Sequence, residues 1–271
     1  MDPHLPLTVC FRVTRYCNAR CSFCLAPPDG AHPPAGVLKQ RLDWLAARGV
    51  RTIHFCGGEP TIHPALAELL EHVQRQGGGS LMTTNGIALP AQLLPALRAA
   101  GTRVKVSLHG DRAHHDATVG RAAFDLATGN LRRLLAFGIP TSVQTTVVAG
   151  GDWVVDWMAD FCLAERVPRL SILPFIPRGS GLALRDALEL ASRQHAALRE
   201  QVRRKRRALQ GRLDVRWLDF SARPVHVVEA DGRVVLERAS EAMDTQLCVI
   251  PSDTVVRKRV PIRPLTSALA G

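Results

Sequence analysis

Cys17-Asn18-Ala19-Arg20-Cys21-Ser22-Phe23-Cys24 is a loop-like stretch between an apolar run at 7–13 and a helical pattern at 37–48. Three thiols spaced x3 and x2 can converge on one face of an iron–sulfur cube. A [4Fe-4S] cluster usually takes four cysteines. Three leave one iron without a protein ligand, open to another molecule. Zinc fits less well, because a structural zinc site closes with four ligands in two pairs. The nearest fourth donor here is His32, at an unusual spacing.

Outward from this loop the chain alternates strands and helices. Strands are expected at 7–13, 51–55, 80–83, 104–108, 141–148 and 170–175. Helical patterns fall between them at 37–48, 63–76, 90–100, 124–137 and 152–164. In the second helix Leu66, Leu69, Leu70 and Val73 share one face, and Pro64 suits its first turn. Gly101 and Gly138 follow helices as C-terminal glycines do. Such alternation indicates an α/β fold with a parallel sheet covered by helices. A partial barrel and a doubly wound open sheet share this one-dimensional pattern. The rhythm changes at Pro177-Arg178-Gly179-Ser180-Gly181. A long helix is expected over 184–210, then strands at 214–220 and 225–229. Asp231-Gly232 turns the chain into a last strand at 234–236. Residues 1–183 are therefore expected as one unit, and 184–271 as an extension covering the active site.

The chain has 271 residues, 46% apolar and 22% charged, an ordinary folded composition. No apolar run approaches the roughly 18 residues of a membrane span. No secretory pattern opens the chain, so a cytoplasmic location is expected. Seven cysteines, an odd number, argue against a disulfide framework and for metal or thiol chemistry. The net charge of +11 hints at an anionic partner. Eight of the cations lie in two runs, residues 203–207 and 257–259, which read as solvated surface. Without aromatic interleaving they are a poor nucleic-acid signature.

The C-x3-C-x2-C spacing after the first strand resembles the signature of the radical S-adenosylmethionine (radical SAM) enzymes. Phe23 holds the aromatic position usual before the third cysteine. Gly57-Gly58-Glu59-Pro60, directly after the second strand, resembles that family's GGE motif, whose backbone and carboxylate hold the SAM amino group. Thr83-Thr84-Asn85-Gly86, Ser107 at the end of the fourth strand, Gln144 and Leu173-Pro174 are looser matches. Gln144 and Leu173 read equally well as ordinary strand residues. The resemblance covers residues 5–180. It implies a partial (βα)6 TIM-like barrel, with chemistry at the C-terminal strand ends, and a small α+β C-terminal extension. It implies that Cys17, Cys21 and Cys24 ligate a [4Fe-4S] cluster whose open iron chelates SAM. Phe23, Gly57, Gly58, Glu59, Ser107, Gln144 and Leu173 would surround the SAM. The implied reaction is reductive cleavage to a 5′-deoxyadenosyl radical that takes hydrogen from a small polar substrate. The electron would come from a reductase, a flavodoxin or a ferredoxin.

Four cysteines remain. Cys10 and Cys162 read as packing residues, and Cys56, directly before Gly57, as a packing residue or one that faces the site. Cys248 stands alone in the extension, which excludes an auxiliary cluster with a full cysteine set there. A lone thiol can return hydrogen to a substrate radical and so invert a carbon. In this respect the chain is similar to the radical SAM aminoglycoside (neomycin-type) epimerases of antibiotic biosynthesis. The leading expectation is epimerisation of a carbohydrate or aminoglycoside carbon with Cys248 as hydrogen donor. Two alternatives stand beside it. One is cyclisation, dehydration or deoxygenation of a phosphorylated nucleotide or sugar, and the other is RNA modification. Candidate substrate residues are Arg12, Thr84, His109, Asp111, Asp219 and Asp244, with Arg178 and Lys105 added for a phosphate-bearing substrate. The charge of +11 counts against a polycationic substrate.

Overall fold

Strand β1 (Thr8–Thr14) shows how the sheet sorts its side chains. Val9, Phe11 and Val13 are buried in the layer shared with the outer helices, while Cys10 and Arg12 face a central cavity. Alternation with a period of two does this wherever one face meets helices and the other a barrel lumen. The computed structural model describes residues 4–220 and 224–251.

The chain continues through α1 (Ala35–Ala47), β2 (Thr52–Gly57), α2 (Leu66–Arg75) and β3 (Gly79–Thr84). Next come α3 (Leu93–Ala99), β4 (Arg103–Ser107), α4 (Arg112–Val119), α5 (Phe124–Ala136) and β5 (Thr141–Val147). Helix α6 (Trp153–Ala164) leads to β6 (Arg169–Pro174). The expected apolar face of α2 is buried at all four positions, Leu66, Leu69, Leu70 and Val73. Strands β1 to β6 pair in sequence order and in parallel. The fold is an open, partial α/β barrel with its apolar core between strands and outer helices.

The C-terminal third adds to both edges of this sheet. Strand β7 (Asp214–Trp217) pairs in parallel with β6, and β8 (Val225–Val228) pairs in parallel with β1. From β8 the chain turns antiparallel into β9 (Arg233–Glu237) and then β10 (Thr245–Val249). The strand order is linear, β10-β9-β8-β1-β2-β3-β4-β5-β6-β7, so the sheet curves without closing.

The single helix expected over 184–210 is broken. A 3-10 turn (Gly179–Leu184) and the short α7 (Arg185–Leu188) precede α8 (Ser192–Ala208). The break falls where the Leu188 carbonyl accepts from Ala149 N–H, tying the chain to the loop after β5. The Gln194 side chain then accepts from Ala191 N–H and starts α8 anew. Strand β7 ends at Trp217, short of the expected 220. Strand β10 had no expectation, because Thr245-Gln246 at an exposed edge lacks an apolar run and its pairing with β9 defines it. No described helix is long and apolar enough to cross a membrane.

Candidate active site

The cysteine loop leaves the C-terminal end of β1 and is pinned to α4. Arg20 N–H donates to the Val119 carbonyl at 2.9 Å, and Ser22 N–H to the Thr118 carbonyl at 3.2 Å. Asn85, at the end of β3, holds the Asn18 side chain at 2.7 Å and contacts Cys17 Sγ at 3.8 Å. Cys17, Cys21 and Cys24 all line one cavity of about 300 Å³. Burial raises all three thiol pKa values, and mutual repulsion adds to this for Cys17 and Cys21, with Cys21 pushed up to about 12. Three such thiolates become favourable together only around a cation, so the donor set fits an iron–sulfur cluster.

Gly57 and Gly58 also line the cavity, but their lack of a Cβ serves the loop. A Cβ on Gly58 would lie 1.9 Å from the Tyr16 carbonyl oxygen, and one on Gly57 2.3 Å from that of Thr14. Gly58 N–H donates to the Thr14 carbonyl and Glu59 N–H to the Tyr16 carbonyl, both at 2.8 Å. The end of β2 thus lies flat against the first turn of the cysteine loop.

Glu59 corrects an expectation. Its carboxylate is 1% exposed and is absent from the cavity wall. Oε1 accepts from Thr61 N–H at 3.1 Å and from the Thr61 and Thr84 hydroxyls, each at 2.6 Å. Oε2 accepts from Asn85 N–H at 2.7 Å. The carboxylate therefore ties the end of β2 to the end of β3. Thr84, a candidate for substrate, is buried and committed to Glu59.

Phe23, Ser107, Gln144, Leu173, Arg12 and His109 are on the cavity wall, as expected from their strand ends and loop. Asp111 is not. It caps α4, accepting from His114 N–H at 2.9 Å, a local role that its short carboxylate suits. Asp219 also lies off the wall. Asp244 sits at a neighbouring opening, in a bidentate pair with Arg178 at 2.7 and 2.8 Å. Cys248 is a further correction. It lies on β10, packs against the main apolar core and is absent from the cavity wall. The antiparallel turn of β9 into β10 carries it to the outer edge of the sheet.

Cys10, read as a packing residue, faces the cavity instead, and Cys56 faces it too, one of its two readings. Cys10 Sγ approaches His54 Nδ1 at 3.6 Å, and His54 Nε2 contacts the Thr83 hydroxyl at 2.8 Å. Hydrogen bonding to Cys56 holds the Cys10 thiol well below its ordinary pKa and raises that of Cys56. The signal for these residues was strand parity. Cys10 and Arg12 alternate with apolar residues, as do His54 and Cys56.

The extension closes the side of the cavity with ion pairs. Arg12 on β1 pairs with Glu229 and Glu237, and Arg178 after β6 reaches Glu237, Asp244 and the Arg238 carbonyl. Arg178 is 5% exposed, so its removal leaves carboxylates stranded in a low-dielectric place. Arg178→Met is expected to cost about 3 kcal/mol and to speed hydrogen exchange in β9 and β10. Unchanged exchange in those strands would refute the latch.

His109 and His115 stack at 5.7 Å beneath Phe23, whose ring meets His109 edge-on at 4.9 Å. His109 Nδ1 accepts from Thr146 N–H at 3.2 Å. Burial lowers the His109 pKa to about 3 and that of His115 to about 4. Both are neutral at pH 7, so His109 serves as a hydrogen-bonding group and not a proton relay there. Between about pH 6.5 and the folded values, the unfolded chain takes up protons that the folded chain refuses. Stability is full above that window and falls toward acid, by up to about 1.4 kcal/mol per pH unit for each histidine. Urea titrations at pH 7.5 and 5.5 measure this, and His109→Gln/His115→Gln should flatten the slope.

The basic run on α8 is elsewhere. Arg203, Arg206, Arg207 and Arg212 line a groove of about 720 Å³ at the start of β7, at the opposite strand end from the cysteine loop. Arg257-Lys258-Arg259 lies outside the described residues.

The Radical SAM superfamily profile matches residues 11–160, and the chain belongs to that superfamily. Its cofactors are the [4Fe-4S] cluster and SAM used by members of the superfamily. Over 194 residues it is 29% identical to the Fe-coproporphyrin III synthase of Methanosarcina barkeri, covering 69% of this chain and 49% of that one. It is 27% identical over 243 residues to the PqqA peptide cyclase of Rhodopseudomonas palustris, covering 84% and 63%. The chain thus spans about half to three-fifths of these relatives. The fold matches Streptococcus suis SuiB bound to precursor peptide SuiA with a TM-score of 0.75, at 16% identity, covering 87% of this chain and 60% of that one. It also matches anSMEcpe with bound AdoMet, TM-score 0.74 at 16% identity, covering 93% and 79%. The similar proteins bear the names of synthases, cyclases and maturases, which do not support the expected epimerase.

Proposed function

We propose that the cavity is the SAM-cleaving centre and that the reaction is a radical ring closure, in which the substrate radical left by hydrogen abstraction forms the new bond and the remaining unpaired electron is settled by one-electron exchange with the reductase, flavodoxin or ferredoxin and a proton from or to solvent. One observation carries the SAM-cleaving part. Cys17, Cys21, Cys24, the Gly57-Gly58 backbone and the inner faces of β1 to β6 line a single cavity. When bound, the cluster supplies the electron that splits the SAM sulfonium into methionine and a hydrogen-abstracting 5′-deoxyadenosyl radical. The chain supplies position and shelter. Cys17, Cys21 and Cys24 would hold three irons, and Phe23 packs edge-on against His109 beside the loop. The Gly57-Gly58 backbone, Ser107, Gln144 and Leu173 would flank the SAM. The ion pairs of Arg12 and Arg178 with the extension's carboxylates hold the extension against the side of the cavity.

Ring closure is favoured over inversion on two grounds. The similar proteins include a PqqA peptide cyclase and a GTP 3′,8-cyclase. Cys248, the expected donor for an inversion, lies off the cavity wall. Cys10 and Cys56 remain as wall thiols, so solvent deuterium decides between the readings. Anaerobically reconstituted enzyme with SAM and dithionite should form 5′-deoxyadenosine. Linear peptides and GTP serve as probes in deuterium oxide. A cyclised product carries no carbon-bound solvent deuterium, whereas an inverted carbon carries one. Absence of 5′-deoxyadenosine would sink the SAM-cleaving reading itself. A reducing compartment suits the seven cysteines, none of which is in a disulfide.

A further inference from the structure

Four cations line the cavity: Arg12, Lys105, Arg178 and Arg238. Arg12 and Arg178 are committed to Glu229, Glu237 and Asp244. Arg238 is half-buried at the extension side. Lys105 differs from all three. It lies in the middle of β4, in register with Thr83 on β3 and Ser142 on β5, two residues before Ser107. No carboxylate forms an ion pair with it among the described residues. The charges that reach its ammonium are the Cys10 thiol, whose pKa is held well down, and the repelling Arg169. Burial lowers its pKa accordingly.

An ammonium facing a largely apolar cavity without a carboxylate is costly to the fold. This same cavity shows what a structural cation looks like: Arg12 and Arg178 each have two carboxylate partners. A lysine left without one, among hydroxyls and facing the lumen, is the arrangement expected where the counter-ion arrives with a ligand.

We propose that Lys105 anchors an anionic group of the substrate, a carboxylate or a phosphate, at the inner end of the cavity. The Thr83 hydroxyl, in contact with His54, is its neighbour in register for sharing that anion. The proposal rests on the reading that this cavity receives substrate. It turns the charge argument from the whole surface to one residue, and it disfavours a polycationic aminoglycoside.

The test uses the full chain with its cluster reconstituted and SAM present. Pyrophosphate and citrate are the probes, and thermal unfolding is the readout. In the wild type, a probe at a hundredfold excess over its Kd should raise Tm by about 5 °C or more. In Lys105→Met the shift should vanish, and in Lys105→Arg it should persist. Without any probe, Lys105→Met should melt above the wild type, because a partly buried charge without a carboxylate partner has gone. A response to pyrophosphate alone assigns a phosphate site, to citrate alone a carboxylate site, and to both the shared anion chemistry. Equal shifts in wild type and Lys105→Met would overturn the proposal, since the probes would then act elsewhere, such as the α8 groove. A lower Tm for Lys105→Met without probe would overturn it too. Cys10→Ser checks the thiolate as counter-ion. An unchanged probe shift supports the proposal, and a shift seen only in Cys10→Ser overturns it. Wild-type 5′-deoxyadenosine formation is scored separately, so the SAM-cleaving reading stands or falls by its own measurement.

Discussion

Replacing Gly58 by alanine is expected to yield a chain that cannot seat its cysteine loop. The added Cβ would lie 1.9 Å from the Tyr16 carbonyl oxygen and 2.5 Å from its carbon, both backbone atoms. Neither can swing aside as a side-chain tip can. Relief requires the loop to lift from the end of β2, which breaks the 2.8 Å bonds from Gly58 to Thr14 and from Glu59 to Tyr16. The Thr14 and Tyr16 carbonyls then lose their donors. The expected loss is about 4 to 5 kcal/mol, the upper range for one substitution. Iron content and the cluster's visible absorbance after reconstitution measure the outcome. Full cluster loading with wild-type Tm would show that the loop is not held this way.

Cys21→Ala should abolish SAM cleavage while sparing the fold. Cys21 is the central thiol of the three and the one whose ionisation burial and its two neighbours resist most. It belongs to a small satellite of apolar contacts with Ala19, Ile87, Val119 and Ala123, so alanine fills its place at little cost. Formation of 5′-deoxyadenosine is expected to fall by about three orders of magnitude, roughly 4 kcal/mol of lost transition-state stabilisation. Circular dichroism should stay near wild type. Cys248→Ala is the matched control. It removes a thiol packed at the sheet edge and should leave SAM cleavage intact. Full activity in Cys21→Ala would remove the cysteine loop from the reaction.

Much of this site was legible along the chain, for reasons that differ from residue to residue. Cys17, Cys21 and Cys24 act within eight consecutive positions, so their spacing alone carries their geometry. The Leu66, Leu69, Leu70 and Val73 stripe is equally local, because helical periodicity assigns the buried face. Ser107, Gln144 and Leu173 follow from knowing that strand ends face one mouth. Glu59 misled because a motif names a residue without saying which of its groups faces the ligand. Its backbone lies at the loop, while its carboxylate is saturated by Thr61, Thr84 and Asn85. Cys248 misled because a lone cysteine in a strand has no local sign of which edge that strand will join.

By itself, then, the sequence determined the superfamily, its cofactors and the order of the six barrel strands. These rest on short-range spacing and on periodicity, which survive without knowledge of the fold. Only the tertiary structure decided which thiols face the lumen, what Gly58 is for, and that Arg178 latches the extension across the open barrel. It also singled out Lys105, because the lack of a carboxylate partner is visible only when the side chains around it are known. Those facts depend on contacts between residues up to 225 positions apart, such as Arg12 with Glu237. Packing and burial determine such contacts, and no local pattern encodes them.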